Sequence, residues 1–307
     1  TGHIYALKVK TGELIYKARI APEEDRMISY GRVESVWPVI GGVLVADGKA
    51  YASCGRTQGV DGGMVIRCFV PETGKTVWTK AITPSQKLNA RGWMVRNDAM
   101  IYSNGMIRLM NNHLDPNTGE FKTPPFEAYI ASEMSKLKSV GGRKASRKLM
   151  SKLMSNPDVP AELKYAVGGF YRWDWTHLGN RKTGQLSYAG KNAGSTIAVG
   201  AQGMASSQCN YKRNDLSYQP KGERPQKASL PNNYLVTSLV LCDNALVCGG
   251  VINNDPEKKG FIMQYNLGDK EPLAAITYSS KLAYNGLAVA DGIVVASFDD
   301  GSVVLLK

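Results

Sequence analysis

One phrase recurs along this chain and limits what the chain can become. It consists of an apolar strand, a short Asp-Gly turn, a second apolar strand, and a Thr-Gly hairpin that ends on an aromatic. The fullest copy begins with Val43-Leu44-Val45-Ala46, the turn Asp47-Gly48 and Lys49–Ser53. It continues through Asp61-Gly62-Gly63, Met64–Phe69 and Pro71-Glu72-Thr73-Gly74-Lys75-Thr76-Val77-Trp78. Fragments return at Gly2–Tyr16, Met100–Phe121, Val236–Ala275 and Leu287–Leu306. Alternating apolar runs broken by Asp-Gly read as antiparallel hairpins, because glycine supplies the positive φ that tight hairpin turns require. Four short strands per repeat of roughly 40 residues form the pattern of a β-propeller blade. The sequence therefore predicts an all-β chain of about five recognisable four-stranded blades.

Between the copies the pattern changes. Residues 21–35 read as a polar connection, and residues 208–232, which carry Pro220, Pro225 and Pro231, read as a loop. From Phe126 to Val167 the apolar period becomes helical. Met134, Leu137, Leu149, Met150, Leu153 and Met154 recur among lysines and arginines, and Gly141-Gly142 splits the segment in two. This predicts a helical insertion at about 126–167 packed on the rim of a single propeller domain spanning 1–307. The ends do not complement each other: Gly301–Leu306 and Gly2–Leu7 read as the same strand of the repeat. With no initiator Met or apolar leader at Thr1, that duplication predicts a piece of a longer protein.

Composition narrows the function classes. The 38 Lys and Arg against 26 Asp and Glu give a net charge of +12. Much of the excess is local: residues 127–167 hold eight basic against four acidic residues, and 208–230 five against two. Neither segment interleaves aromatics with charge as a base-stacking platform does, so a solvated basic surface fits better than a nucleic-acid groove. No apolar run approaches the length of a transmembrane helix. The five cysteines, Cys54, Cys68, Cys209, Cys242 and Cys248, lack the spacing of a zinc site or a disulfide framework. His3, His113 and His177 are scattered, so no metal site is expected. Asp299-Asp300, Asp115 and Asp255 fall in turns, where Asx-type backbone bonding accounts for them without chemistry.

The segments Tyr5–Tyr16 and Phe69–Trp78 resemble the repeat of pyrroloquinoline-quinone-like (quinoprotein-like) β-propellers, with its Thr-Gly and a Trp four positions later. Trp78 matches in full. Tyr16 and Phe121 are degraded versions, and Lys8-Val9 and Val70-Pro71 replace the acidic position. In that family the aromatic docks flat between blades, which gives Tyr16 and Trp78 a structural role. Ala21–Arg26, Glu34–Val39, Gly42–Val45 and Gly55-Arg56 through Gly63 are similar to the C-terminal half of large exported bacterial proteins carrying the repeat. That resemblance implies a periplasmic or otherwise exported protein.

Two functions follow from the resemblance. One is a non-catalytic binding or assembly scaffold for an unidentified protein, small molecule or carbohydrate. The other is a pyrroloquinoline-quinone-dependent alcohol or sugar dehydrogenase, whose cofactor ligands would lie partly outside this chain. The adjacent Cys-Cys pair and the Cys-x-x-Cys-His haem motif of such enzymes are missing, so no catalytic residue is assigned and the scaffold is preferred. Propeller ligands gather where strand ends converge on the axis. The candidate ligand-binding residues are therefore Arg32, Glu34, Ser35 and Trp37, with Arg56 after the following strand. The competing reading packs Trp37 between blades and pairs Glu34 with Arg32 or Arg56. A second cluster, Arg172-Trp173-Asp174-Trp175-Thr176-His177, reads either as a ligand contact or as an anchor for the insertion.

Overall fold

Tight turns set the strand ends. At Asp47-Gly48 and Asp291-Gly292 both residues take positive φ (48° and 68°, 50° and 72°), as a type I′ hairpin requires, and its twist matches that of the strands it joins. The computed structural model describes residues 2–86, 97, 100–122 and 195–307, apart from positions 30, 104, 110, 111, 201, 211, 212, 221, 222, 224 and 254. The expected helical insertion at 126–167 and the Arg172–His177 cluster lie outside the described residues. Everything assigned to regular structure within them is strand. No helix among them is long and apolar enough to cross a membrane.

The strands form consecutive antiparallel sheets in a five-blade, propeller-like arrangement. A two-stranded sheet, β1 (His3–Leu7) and β2 (Leu14–Arg19), comes first, followed by a separate hairpin, β3 (Arg26–Ser29) and β4 (Arg32–Ser35). The first blade is β5 (Val43–Ala46), β6 (Lys49–Cys54), β7 (Met64–Phe69) and β8 (Thr76–Ile82). The second is β9 (Ile101–Ser103), β10 (Met106–Leu109), β11 (Asn112–Leu114) and β12 (Phe121–Lys122). The third is β13 (Ser195–Gly200), β14 (Gly203–Asn210), β15 (Arg213–Pro220) and β16 (Gln226–Ala228). The fourth is β17 (Tyr234–Leu241), β18 (Ala245–Ile252), β19 (Gly260–Asn266) and β20 (Ala274–Tyr278). The fifth has three strands, β21 (Leu282–Ala290), β22 (Ile293–Phe298) and β23 (Val303–Leu306).

The first strands of successive blades touch in the order β5, β9, β13, β17, β21. The amide of Asn285 in β21 donates to the Gly41 carbonyl just before β5 (2.7 Å), so the series returns towards its start.

The middle strands of a blade bury both faces, which is why they read as unbroken apolar runs. In β6, Tyr51 faces the second blade and joins Ile66, Cys68, Ile107, Leu109 and Leu114. Its neighbours Ala50, Ala52 and Cys54 face the other way and pack against Ile4, Ile20 and Ala21 of the β1–β2 region. Likewise Leu246 and Cys248 share a core with Ala205 and Leu216 of the third blade, while Val247 packs with Leu287, Ala296 and Phe298 of the fifth.

Aromatics at the blade edges tie these layers together. The Trp78 indole N–H donates to the Pro116 carbonyl of the next blade (3.0 Å), and its ring lies where a side chain on Gly119 would stand. Tyr16 repeats the arrangement one blade earlier. Its hydroxyl donates to the Pro71 carbonyl (2.6 Å), with its ring over Gly74.

Two sequence readings are corrected. Residues 208–232 are not a loop: β14 ends, β15 and β16 run, and β17 is approached within that stretch. Leu216 and Tyr218 alternate inward on β15, and their signal is diluted by the polar residues between them. Residues 21–35 are not merely a connection either, since Arg26–Ser35 pair as a hairpin with Gly31 at φ 73°.

One half-buried group sets a pH response. His113 in β11 pairs with Arg108 across the sheet, and burial first, then the Arg108 charge, lowers its pKa to about 3. The folded protein therefore holds a neutral imidazole that the unfolded chain protonates below about pH 6.5. A depressed base pKa means that stability falls as pH drops from that value towards 3. Denaturant titrations across this window are expected to show the loss, and a His113→Gln chain is expected to show a flatter profile. An unchanged slope in the variant would refute the assignment.

Candidate functional site

The five candidate residues stand on the β3–β4 hairpin and on the loop it covers. Arg32, Glu34 and Ser35 belong to β4, Trp37 lies in the link to β5, and Arg56 follows β6. None of them sits on a first strand of a blade. The hairpin is short and its register simple: Arg26 opposes Ser35, Met27 opposes Glu34, Ile28 opposes Val33, and Ser29 opposes Arg32. Period-2 alternation therefore divides it into a Met27/Glu34 face and an Ile28/Val33 face.

The first face is pinned to the blade by Arg56. Its guanidinium donates to the Glu34 carboxylate (2.7 Å) and to the Ser35 carbonyl (3.5 Å), and it also contacts the Met27 thioether. The Asp61 carboxylate stands 3.8 Å from the same guanidinium. The Arg56 side chain is 25% exposed and that of Glu34 is 44% exposed. At such exposure the ion pair contributes about 0–1 kcal/mol, so its effect is chiefly to fix where the hairpin sits. The Ser35 hydroxyl accepts the Trp37 backbone N–H (3.1 Å), and the Trp37 ring rests over Gly62 (3.7 Å to an added Cβ). The geometry thus joins Glu34 to Arg56 and packs Trp37 on the core that Ile4 and Ala21 share with Cys54 of the first blade, beside the loop before β7.

The loop beneath is held by two buried amides that sequence reasoning missed. Asn97, 8% exposed, donates to the Gly55 carbonyl (2.7 Å) and to the Ser53 and Pro38 carbonyls (both 3.3 Å). It also accepts the Ser53 hydroxyl (2.6 Å), and its own N–H bonds the Arg56 carbonyl (2.9 Å). Gln58, 3% exposed, donates to the Thr83 and Gln86 carbonyls (2.8 and 2.6 Å). An asparagine in a polar stretch reads as a turn, as Asn97-Asp98 does in the sequence. Only the fold reveals that several carbonyls converge on it. Nearby, burial pushes the Cys54 thiol up to about 12, leaving it a packed, protonated group and not a nucleophile.

The opposite face of the hairpin is bare. Ile28 and Val33 are 77% and 67% exposed, side by side across the strands. The site therefore pairs a fixed polar underside with an apolar outer surface, and it has no nucleophile–base pair. Among the described residues no three His, Cys, Asp or Glu side chains gather where a cation could be held.

No family model matches the chain, and no curated protein matches it. Several solved structures are similar at low identity. BamB from Moraxella catarrhalis shares 11% identity with a TM-score of 0.35, over 99% of this chain and 66% of that one. The quinohemoprotein alcohol dehydrogenase ADHIIG from Pseudomonas putida HK5 shares 11% with a TM-score of 0.39, over 99% and 61%. A europium-containing methanol dehydrogenase shares 12% with a TM-score of 0.33, over 99% and 74%. The chain thus spans about two thirds of the length of the first two. The fold assignment rests on the sheet order and the cores between blades, not on these likenesses.

Proposed function

We propose that this chain is a non-catalytic β-propeller scaffold for binding or assembly, acting within a larger exported protein. In this reading residues 1–307 belong to one propeller domain. The contact element is the β3–β4 hairpin, with a polypeptide as its partner; Arg32, Glu34, Ser35, Trp37 and Arg56 are the site residues that position it, and Ile28 and Val33 form its outer face. The observation that carries this reading is the bare Ile28/Val33 pair on a hairpin whose other face is fixed by Arg56. An apolar pair held in place on an element outside the blades suits protein contact better than solvent exposure.

Two measurements test it. A photo-crosslinking residue at position 28 is expected to give one discrete protein adduct in cells, and Arg56→Ala to reduce it. The absence of any adduct would overturn the reading. Pyrroloquinoline quinone with Ca²⁺, added to the full-length protein, is expected to give neither saturable uptake nor dye-linked alcohol oxidation. Tight binding with turnover would establish the oxidoreductase instead.

A further inference from the structure

The apolar pair of the β3–β4 hairpin borders a strand edge whose backbone groups point outward. Antiparallel ladders alternate between pairs that exchange backbone hydrogen bonds and pairs that do not. The Val36 N–H donates to the Asp25 carbonyl (3.0 Å), which makes Asp25 and Val36 a bonded pair at the open end of the hairpin. The register then makes Met27/Glu34 and Ser29/Arg32 bonded pairs and leaves Arg26/Ser35 and Ile28/Val33 unbonded. The N–H and C=O groups of Arg26 and Ile28 therefore point away from β4, and those of Val33 and Ser35 point away from β3.

The two edges differ. On the β4 side the Ser35 carbonyl accepts from the Arg56 guanidinium (3.5 Å). Among the described residues no strand lies against the outer edge of β3, because its sheet holds β3 and β4 alone. The pairing runs without a register shift, and β3 contains no proline. It thus lacks the bulge and the proline that commonly blunt an exposed edge. Arg26 and Ile28 share the face of Val33, and Arg26 is exposed. The acids next to it are directed elsewhere: Asp25 alternates to the Met27 side, and the Glu24 carboxylate stands 3.4 Å from His3.

We propose that a partner polypeptide adds to the β3 edge as a third, antiparallel strand, with an aliphatic side chain across from Ile28 and an acidic one two positions later, across from Arg26. This inference rests on the reading of the hairpin as a protein contact and specifies the chemistry of what it takes. Main-chain bonds to Arg26 and Ile28 give affinity, and the alternate side chains give specificity. The aliphatic group covers the Ile28/Val33 pair, as cross-strand neighbours do within a sheet. The carboxylate meets the Arg26 guanidinium in a charge-assisted bond. A net charge of +12 draws an acidic segment to this chain and repels a basic one.

The test uses the 307-residue chain and capped synthetic peptides about eight residues long, followed by fluorescence anisotropy. A Ser/Thr peptide with isoleucine and, two positions later, glutamate is expected to bind at roughly 10–100 µM. The same peptide with lysine for glutamate is expected to bind at least about tenfold more weakly. Arg26→Glu is expected to invert that preference and Ile28→Asp to abolish binding of both, with unchanged thermal midpoints because both positions are exposed. Backbone N-methylation gives the readout specific to strand addition. Methyl groups on the isoleucine and glutamate amides are expected to abolish binding, and one on the residue between them to leave it in place. Binding that ignores this alternation, or no binding by any peptide, overturns strand addition. If position 28 still crosslinks to a protein, the hairpin remains a contact surface; if that adduct is absent too, the underlying reading falls with it. Uptake by anionic phospholipid vesicles that Ile28→Asp abolishes, without peptide binding, would assign the face to a membrane and overturn the proposal.

Discussion

Replacing Gly119 with alanine is expected to cost roughly 3 kcal/mol of folding stability, against about 1 kcal/mol for the same change at Gly12. Both glycines close a Thr-Gly turn in the left-handed region, at φ 71° and 70°, so the backbone strain of an added Cβ is common to both. What differs is the neighbourhood. A Cβ on Gly119 falls 2.7 Å from the Trp78 ring, whereas one on Gly12 meets nothing within 4 Å. Alanine at 119 therefore pushes the indole off its seat, losing the N–H bond to Pro116 (3.0 Å) and part of the ring's packing beside Tyr51, whose centroid lies 5.9 Å away. Urea unfolding of the two variants isolates the docking contribution as the difference between them. Equal losses would show that the aromatic seat contributes nothing to cohesion between blades.

Asn97→Ala is expected to destabilise the protein by roughly 3 kcal/mol, although Asn97 lies on no strand. The side chain makes three donor contacts and one acceptor contact within a buried loop. Truncation leaves the Ser53 hydroxyl and the Gly55 carbonyl buried without that partner. Asn97→Asp tests the same group electrostatically. Its carboxyl would face three carbonyl oxygens, which disfavours the charged form and raises its folded pKa above the unfolded value of about 3.9. A raised acid pKa means that stability present below that value is lost as pH climbs through it. The Asp variant is therefore expected to approach the parent at low pH and to fall well below it at neutral pH. A variant equally stable at both would overturn the assignment of Asn97 as a buried donor.

How much of this was legible in the sequence depended on the redundancy of the signal. The first and fourth blades announce themselves because both faces of β6, β18 and β19 are apolar, and the first and fifth because their Asp-Gly turns are strict. In β15 the third blade offers one inward pair, Leu216 and Tyr218, among charged and amide side chains. Its partners in the core, such as Phe261 and Met263, come from another blade, so no local pattern records the pairing. The candidate site was legible in composition but not in place. Chemistry alone offered Arg32 or Arg56 as the partner of Glu34, yet nothing in the residues chose between them or showed that β3 and β4 stand apart from the blades. Asn97 was invisible for a similar reason: its value lies in three carbonyls contributed by residues 42 to 59 positions away.

The alternation that buries both faces of each interior strand has a thermodynamic corollary. Among the described residues a layer flanked on both sides is cooperative with two neighbours, whereas β1–β2 shares a core with the first blade alone and β21–β23 with the fourth alone. Opening free energies should therefore grade inward along the chain, lowest at the two outer layers and highest around Ile66 and Phe261. Unfolding of such an array proceeds by peeling.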